Sequence, residues 1–493
     1  MLFSSSVFIF LFLPVSFLGY FLLNNRRLIS AGKCWLVACS LFFYGYWDVS
    51  YIPLLLGSIF FNFIVGGAVS PLTKGARLGM SRKMLLGIAI AINLAFLGYY
   101  KYTNFFIDNI NELSGTELTF KNIVLPLGIS FYTFTQIAFL VDSFRGQAKE
   151  YDFINYALFV TFFPHLIAGP ILHHKEMMSQ FKSKWTWAIR YRNIFMGLFI
   201  FSIGLFKKVI IADNFAVYAD AGFAPGAQHD FLSSWATSLS YTFQLYFDFS
   251  GYCDMAIGAA LLFNIWLPLN FNSPYKSFDI QDFWRRWHIT LGRYLRDYIY
   301  IPLGGNRCAN YRVYLNLFIT FVLGGLWHGA SWMFVIWGAM HGGALVIHRW
   351  WKKRGFSMPK PMAWVVTFLF VNTAWVFFRA HSLEDAKRIL FGMIDISSIY
   401  SLSIEHTPTK MIAWSGTLGD SMSQFLPVGV VDNFVCLVLI VAGFVITPLK
   451  NSYEITISKG MYRLKTIWMS ILFIIAVYAT IQSTSTVFLY FNF

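Results

Sequence analysis

Long apolar runs recur throughout the chain and constrain its fold more than any other feature. Runs such as residues 84–100 and 362–378 approach the ~20 residues that a helix needs to cross a bilayer. Of the 493 residues, 57% are hydrophobic and only 12% are charged, about half the charged fraction of an average soluble protein. We therefore predict an all-α, polytopic helical membrane protein, because a membrane β-barrel requires short alternating segments instead.

Short basic loops separate the apolar runs. The net charge of +15 is therefore attributed to the cytoplasmic bias of Lys and Arg, and not to nucleic-acid binding. The spans predict about 11–13 membrane segments, including re-entrant or broken helices, in a single domain covering residues 1–493. The first run has no cleavage site, and Arg26 and Arg27 follow it, so we expect it to remain as a membrane helix. The five scattered cysteines predict neither a disulfide framework nor a metal site.

The apolar segment Ile154–Leu172 has an unusual composition for a membrane helix. It contains Pro164, His165, Gly169 and Pro170, which ordinary helices avoid. Basic residues flank it on both sides, so both ends are expected to face the cytoplasm. We predict a re-entrant segment or a broken hairpin.

Further boundaries are predicted in the middle of the chain. Residues 231–249 and 253–267 are expected to form two spans separated by a Ser-Gly-Tyr break. Lys207 and Lys208 lie near the end of an earlier span, where they either snorkel to the interface or pair with Asp213; snorkelling is favoured. The acidic loop Asp213–Asp230 is expected to be external.

Two histidines lie in the apolar stretch Phe321–Arg349. His328 precedes Gly329, and His341 precedes Gly342. A histidine inside a membrane span is a functional-site hypothesis by default, and glycine lets another backbone or a thin ligand approach closely. The alternative for His328 is a structural bond to a backbone carbonyl, and packing or orientation is as plausible a role for His341 as direct chemistry.

A second stretch, Asp279–Tyr300, carries His288 in a basic and aromatic setting. Asp279 is expected to cap a helix. Helical spacing places on one face Trp284, His288, Leu291, Leu295 and Tyr298. One interpretation is an interfacial amphipathic helix whose arginines contact lipid phosphates. The other is that these arginines contact an anionic ligand, such as the phosphates of coenzyme A.

Several longer motifs resemble those of the membrane-bound O-acyltransferase family, and of its alginate O-acetyltransferase branch in particular. They are FFPHLIAGPI, GLFKKVIIADN, YTFQLYFDFSGYCDMAIG, FWRRWHITLGRYLRDYIYIPLGGNR, LWHGASWMFVIWGAMHG and WVFFRA. The resemblance extends over most of the chain as far as Arg379 and is weak beyond it. It implies a multi-pass protein of the bacterial inner membrane with a cytoplasmic funnel leading towards a buried histidine. It also implies that His328, in W-H-G, is catalytic and that His288, in R-W-H, is a second functional histidine.

These features together predict a membrane O-acetyltransferase that acts on an exported polysaccharide such as alginate or cellulose. Acetyl-CoA is the expected donor, with no permanently bound cofactor and no metal. The expected partners are membrane lipid and a periplasmic acetyltransferase protein, but no nucleic acid. Besides the catalytic pair, the residues expected to bind substrate are Trp287, Arg285, Arg286, Asp297, Tyr298, Trp327 and His341.

Three alternatives stay open from the sequence. His328 either acts as a general base on the acceptor or is itself transiently acylated. A related activity with the same architecture is D-alanyl transfer to teichoic acid through a carrier protein. A different class is a proton-coupled transporter, which would use the broken spans and buried histidines. Such a transporter requires paired carboxylates within the membrane, and only Asp248 and Asp254 are candidates for that pair.

Overall fold

The computed structural model describes residues 1–72, 80–119, 123–148, 152–401, 428–458, 462–482 and 488–489. These residues form helices and no strands, which confirms the all-α prediction. Within them, six helices are long and apolar enough to cross a membrane, so the polytopic membrane class is also confirmed. These helical stretches are Phe8–Asn25, Val49–Val69, Arg82–Ser114, Tyr191–Gly222, Lys360–Arg379 and Arg463–Ile481. The count of 11–13 segments, which included shorter and broken helices, stays a prediction.

Backbone contacts divide the chain into two compact units. The first comprises Met1–Phe201 and Met255–Pro268, and the second comprises Ser202–Asp254 and Leu269–Phe493. The prediction of one domain over residues 1–493 is not decided by this division and stays a prediction. The helices that begin in the first unit are α1 (Leu13–Asn25), α2 (Ile29–Gly45), α3 (Ile52–Val69), α4 (Arg82–Ser114), α5 (Ile129–Phe144), α6 (Phe153–Thr161), α7 (Phe163–Leu166), α8 (His174–Lys182) and α9 (Tyr191–Phe206).

A reciprocal amide pair joins α3 and α4 in the first unit. Asn62 Nδ2 donates to Asn93 Oδ1 at 3.0 Å, and Asn93 Nδ2 donates to Asn62 Oδ1 at 2.8 Å. Each amide also donates to the carbonyl four residues earlier in its own helix, on Ser58 and Ala89. Both side chains are buried. Their hydrogen bonds hold the two helices together, because lipid provides no hydrophobic driving force for helix association.

The segment Ile154–Leu172 is broken, as its prolines and glycine predicted. Helix α6 ends at Thr161, the four residues of α7 follow, and no helix resumes until His174. The nine residues of α6 rise only ~14 Å, less than half the hydrocarbon thickness. A plain helical crossing is therefore ruled out for α6 alone, and the return of the chain to the same side stays a prediction.

Cysteine labelling tests that return. Gln147 and Ser179 are exposed on the two flanks of the segment, and we expect Gln147→Cys and Ser179→Cys both to react with an impermeant maleimide from the cytoplasmic side. Gln228→Cys, near the end of the predicted external loop, serves as the opposite control. The accessible native thiols of Cys34 and Cys308 are replaced by serine beforehand. Labelling of the two flanks from opposite sides would show that the segment crosses the membrane.

The helices that begin in the second unit follow the end of α9. They are α10 (Asp213–Gly222), α11 (Phe231–Leu262), α12 (Ile280–Arg286), α13 (Ile289–Leu295), α14 (Asn310–His328), α15 (Trp332–Lys353), α16 (Lys360–Arg379), α17 (Leu383–Gly392), α18 (Val428–Ile446), α19 (Ser452–Ile457) and α20 (Tyr462–Gln482). Two predicted boundaries are wrong here. The first ten residues of the predicted loop Asp213–Asp230 are helical, and α11 is one continuous helix where two spans were predicted.

The continuity of α11 has a packing reason. A Cβ built on Gly251 would lie 2.8 Å from the carbonyl oxygen of Gly204 in α9. Glycine is therefore required at this position by close backbone approach, and it does not mark a turn. A single glycine in a helix costs only about 1 kcal/mol relative to alanine, which packing of this kind offsets.

A buried charge network joins Lys207 and Lys208 to α10, α11 and α19. Lys208 Nζ lies 2.7 Å from an Asp213 carboxylate oxygen and 2.6 Å from one of Asp248. Lys207 Nζ lies 2.7 Å from Asp254 Oδ2. The favoured snorkelling of the two lysines is therefore wrong, because carboxylates on neighbouring turns and on α11 provide partners inside the protein.

Other contacts extend this network towards the end of the chain. Ser452 Oγ donates to Asp254 Oδ2 at 2.7 Å, and the backbone N–H of Leu489 donates to Asp248 Oδ2 at 3.1 Å. The two lysines begin a six-residue π-helical turn, Lys207–Ala212. Such turns are rare and are frequently found at functional sites.

Candidate active site

Helices α14 and α15 pack against each other along a seam of glycines. A Cβ built on Gly325 would lie 2.2 Å from the Phe334 carbonyl oxygen, and one on Gly338 would lie 2.5 Å from the Phe321 carbonyl oxygen. A Cβ on Gly342 would lie 3.0 Å from the backbone of Phe318. Gly325, Gly338 and Gly342 therefore allow the two backbones to approach closely, and Gly342 directly follows His341. A Cβ on Gly329, which follows His328, would instead meet the Phe334 side chain.

The second unit brings three histidines together. His288, His328 and His341 are 0%, 3% and 0% exposed. The ring centroids of His288 and His328 are 6.4 Å apart. The Trp337 ring of α15 lies between His328 and His341, with its centroid 5.1 Å from the His328 ring and 4.7 Å from the His341 ring. Two of them, His288 and His328, are 40 positions apart in the chain and yet belong to one buried cluster.

His341 has a defined hydrogen-bonding state. The indole N–H of Trp284 donates to His341 Nδ1 at 3.2 Å. An indole nitrogen can only donate, so His341 Nδ1 is the acceptor and a neutral ring carries its proton on Nε2. His341 Nε2 is buried and has no hydrogen-bond partner among the residues that the structure describes. A donor is therefore available there for a ligand group.

The predicted helix Asp279–Tyr300 is interrupted at His288, so the prediction of one continuous helix is wrong. Helix α12 ends at Arg286, α13 begins at Ile289, and His288 between them has φ 43° and ψ 52°. Left-handed backbone is strained for a non-glycine residue, and such strain is found disproportionately at functional sites. After α13 the chain forms a five-residue π-helical turn, Arg296–Tyr300.

The break turns the His288 ring into the protein, where it packs on Phe249 with ring centroids 4.9 Å apart. His288 lies outside the six helices that are long and apolar enough to cross a membrane. Burial lowers the pKa of its imidazole well below the usual range, because desolvation disfavours the charged form. The ring is therefore neutral at physiological pH, which is the state required of a base or a nucleophile.

Tryptophans surround the histidine cluster. Trp287 and Trp375 have ring centroids 4.8 Å apart, and Trp375 stacks on Trp337 at 5.7 Å. All three are 1% exposed. Trp327 packs on His328 at 4.9 Å. Two of these tryptophans, Trp287 and Trp327, were expected to bind substrate, and they lie in the same buried apolar surface as the histidines.

The remaining residues expected to bind substrate are more exposed than the histidines. Arg285 is exposed, and half-buried Arg286 pairs with Asp282 at 3.0 Å. Asp297 forms a two-pronged pair with the exposed Arg296, at 2.7 and 3.1 Å. Tyr298, also expected to bind substrate, packs on Tyr294 with ring centroids 4.8 Å apart.

Asp279 fixes the position of α12. Its Oδ1 accepts the Asp282 N–H at 2.7 Å, which confirms the predicted helix cap. The same carboxylate lies 3.5 Å from His348 Nε2 and 3.7 Å from Lys352 Nζ of α15. The helix that precedes His288 is therefore attached to the helix that carries His341.

Sequence reasoning missed Trp337, Trp375 and Asn270. The two tryptophans were indistinguishable from ordinary interfacial or core aromatic residues, because the chain has 17 tryptophans. Asn270 lies in a polar loop and contacts His288 Nδ1 at 3.1 Å. No local pattern identified it, because its partner is 18 residues away.

Comparison with known proteins decides the family. The model of the MBOAT, membrane-bound O-acyltransferase, family matches residues 82–383, which include all three histidines. The chain belongs to the membrane-bound O-acyltransferase family. It is therefore an acyltransferase, which excludes the transporter alternative. The family resemblance inferred from the longer motifs, from FFPHLIAGPI to WVFFRA, is confirmed.

Three relatives illustrate the range of this family. The chain is 46% identical to a peptidoglycan O-acetyltransferase of Helicobacter pylori, over 100% of this chain and 98% of that protein. It is 43% identical to a probable alginate O-acetylase AlgI of Pseudomonas aeruginosa, over 81% of this chain and 76% of that protein. It is 29% identical to a teichoic acid D-alanyltransferase of Bacillus subtilis, over 51% of this chain and 67% of that protein.

Proposed function

We propose that this acyltransferase moves acetyl groups from a cytoplasmic thioester across the membrane for O-acetylation of peptidoglycan. One observation carries the choice of polymer. The Helicobacter pylori relative, named a peptidoglycan O-acetyltransferase, matches the whole of this chain at the higher identity. The relatives named for alginate match about four-fifths of it. Peptidoglycan is therefore favoured over the alginate or cellulose expected from the sequence.

The reaction needs one proton acceptor and a dry site. His328 takes the proton from the acceptor hydroxyl as that oxygen attacks the thioester carbonyl. The carbon–sulfur bond then breaks, the thiolate receives the proton, and the products are an acetyl ester and a free thiol. Direct attack by the His328 imidazole, with a transient acetyl-imidazole, remains the alternative route to the same products. The aromatic walls support either route by suppressing hydrolysis.

Acetyl-CoA is the proposed donor. Support comes from exposed basic side chains near the ends of α12 and α15, Arg285 and Lys352. Arginine and lysine are suited to the phosphates of a coenzyme A thioester. A cytoplasmic donor and an exported polymer require opposite sides of one membrane. We therefore place the protein in the bacterial inner membrane, with a periplasmic acetyltransferase receiving the acetyl group.

An alginate-type exopolysaccharide is the second candidate acceptor, because several alginate O-acetylases are 40–43% identical to this chain. D-alanyl transfer is less well supported, since the teichoic acid enzymes match about half of the chain at 27–29% identity.

Ester-linked acetate on purified peptidoglycan tests the proposal. A strain lacking this protein should lose that acetate, and the wild-type chain should restore it on re-expression. The exopolysaccharide of the same strains is assayed in parallel after mild alkaline hydrolysis. Unchanged peptidoglycan acetate in the deletion strain would refute the proposed polymer. Loss of acetate from the exopolysaccharide alone would identify the second candidate as the acceptor.

A further inference from the structure

Asn270 is a fully buried side chain that organises the break at His288. Its Oδ1 accepts the backbone N–H of Thr290 at 3.2 Å and the Thr290 hydroxyl at 2.9 Å. Its Nδ2 donates to the Cys253 sulfur at 3.3 Å. The amide therefore has partners on both α11 and the start of α13, which restricts its orientation.

The contact with Thr290 defines which amide atom faces His288. A backbone N–H can only donate, so the atom that it meets must be the amide oxygen and cannot be the nitrogen. His288 Nδ1 lies 3.1 Å from that same oxygen. Because an amide oxygen can only accept, Nδ1 of His288 must carry a proton. A neutral His288 ring then has its lone pair on Nε2.

Backbone pairing holds the same loop against the break. The Ile289 N–H donates to the Asn270 carbonyl at 3.0 Å, and the Asn272 N–H donates to the Arg286 carbonyl at 2.9 Å. These bonds flank His288 on both sides and maintain its left-handed backbone. The strained conformation is thus stabilised by its surroundings, as such conformations require.

We propose that Asn270 is a positioning residue that holds His288 in the Nδ1-protonated tautomer, so that Nε2 accepts a proton or a hydrogen bond. This inference rests on the proposed function in taking acyl transfer as the reaction. In this tautomer Nε2 carries no proton, so it cannot donate a hydrogen bond to the thioester carbonyl. His288 Nε2 is instead assigned the role of an acceptor. His288 and His328, whose ring centroids are 6.4 Å apart, and Asn270 then act together as a group of three residues.

Nitrogen NMR of the lipid-embedded protein tests the tautomer without relying on activity. The protein is labelled with ¹⁵N-histidine, and the His288 signals are assigned as those that are absent from the spectrum of the His288→Gln variant. We expect wild-type Nδ1 to be protonated and Nε2 to be unprotonated. In Asn270→Asp the new carboxylate favours the charged ring and raises the pKa of His288, so as pH falls both nitrogens should become protonated at a higher pH than in the wild type. Asn270→Ala should lose the preference for Nδ1.

Turnover of an acetyl thioester gives the second readout. Asn270→Ala should lower it about 10²-fold, the contribution of a positioned acid–base group. Asn270→Asp should lose turnover at a higher pH than the wild type as the solution is acidified, because the ring must be neutral to act. Asn372→Ala is the matched control. Asn372 is also buried, but it bonds Thr242 and Ser238, and its replacement should leave the pH profile unchanged.

The outcomes separate the two proposals. Wild-type His288 protonated on Nε2 would overturn the role of Asn270 and leave acyl transfer intact. Asn270→Ala with wild-type turnover, or with reduced turnover and an unchanged His288 tautomer, would also overturn it. The expected tautomer in a wild-type protein that turns over no acetyl thioester would instead refute the proposed function.

Discussion

His328→Ala is expected to abolish acetyl transfer, with a fall in rate of about 10²–10⁴-fold. His328 ends α14 inside the aromatic cluster and is 3% exposed, and its imidazole is the proposed proton acceptor. Alanine removes that base while leaving the tryptophan walls in place. Acetate incorporation in cells, normalised to the amount of protein in the membrane, measures the effect.

A second buried histidine provides the control for loss of the ring itself. His174 is 2% exposed in the first unit and packs against Phe139 and Phe159. His174→Ala deletes the same atoms from a histidine that is not a member of the cluster, so it should retain transfer in proportion to the protein that folds. Near wild-type acetylation by His328→Ala would refute the central assignment.

Lys208→Met is expected to destabilise the protein by about 3–5 kcal/mol. The substitution keeps most of the side-chain volume but removes the ammonium that Asp213 and Asp248 share at 2.7 and 2.6 Å. Two carboxylates would then remain buried without their counter-ion, which is the costly outcome of breaking a buried pair. Thermal unfolding of the protein in lipid measures the change.

Lys352→Met is the matched control, because the Lys352 side chain is 58% exposed and lies 3.7 Å from Asp279. An exposed pair of this kind contributes at most about 1 kcal/mol. Replacing both aspartates as well, in Lys208→Met/Asp213→Asn/Asp248→Asn, should restore much of the lost stability. Equal unfolding temperatures for Lys208→Met and Lys352→Met would show that the buried network does not stabilise the fold.

The sequence predicted features that depend on local chemistry. Pro164 and Pro170 indicated a broken segment because proline has no backbone N–H to donate, and Gly169 because glycine does not restrain the backbone to a helix. Helix α6 does end nearby, at Thr161. Asp279 indicated a helix start because a carboxylate accepts exposed N–H groups. Features set by distant partners were not predicted. Gly251 was interpreted as a break, since the α9 backbone that it meets is invisible in the sequence.

The candidate site shows the same division. Histidines in apolar surroundings identified His328 and His341, and the R-W-H motif identified His288. The left-handed backbone of His288 was not predicted, because only a few per cent of non-glycine residues adopt it. Asn270 was missed for a related reason. Its importance arises from hydrogen bonds to Thr290 and His288 across the loop, and no spacing rule encodes them.

The lysine–aspartate network has a consequence for how the protein is synthesised. Lys208 has a partner in its own segment, Asp213, but Asp254, the partner of Lys207, is made 47 residues later. The membrane insertion machinery therefore first receives a segment in which the Lys207 charge is uncompensated. A lone charge opposes partition into lipid, and the later pairing with Asp254 on α11 offsets that cost. Ser452 arrives a further 198 residues after Asp254. A nascent chain stopped before that point would retain incompletely bonded intramembrane acids, a feature by which quality-control proteases could distinguish it from the finished protein.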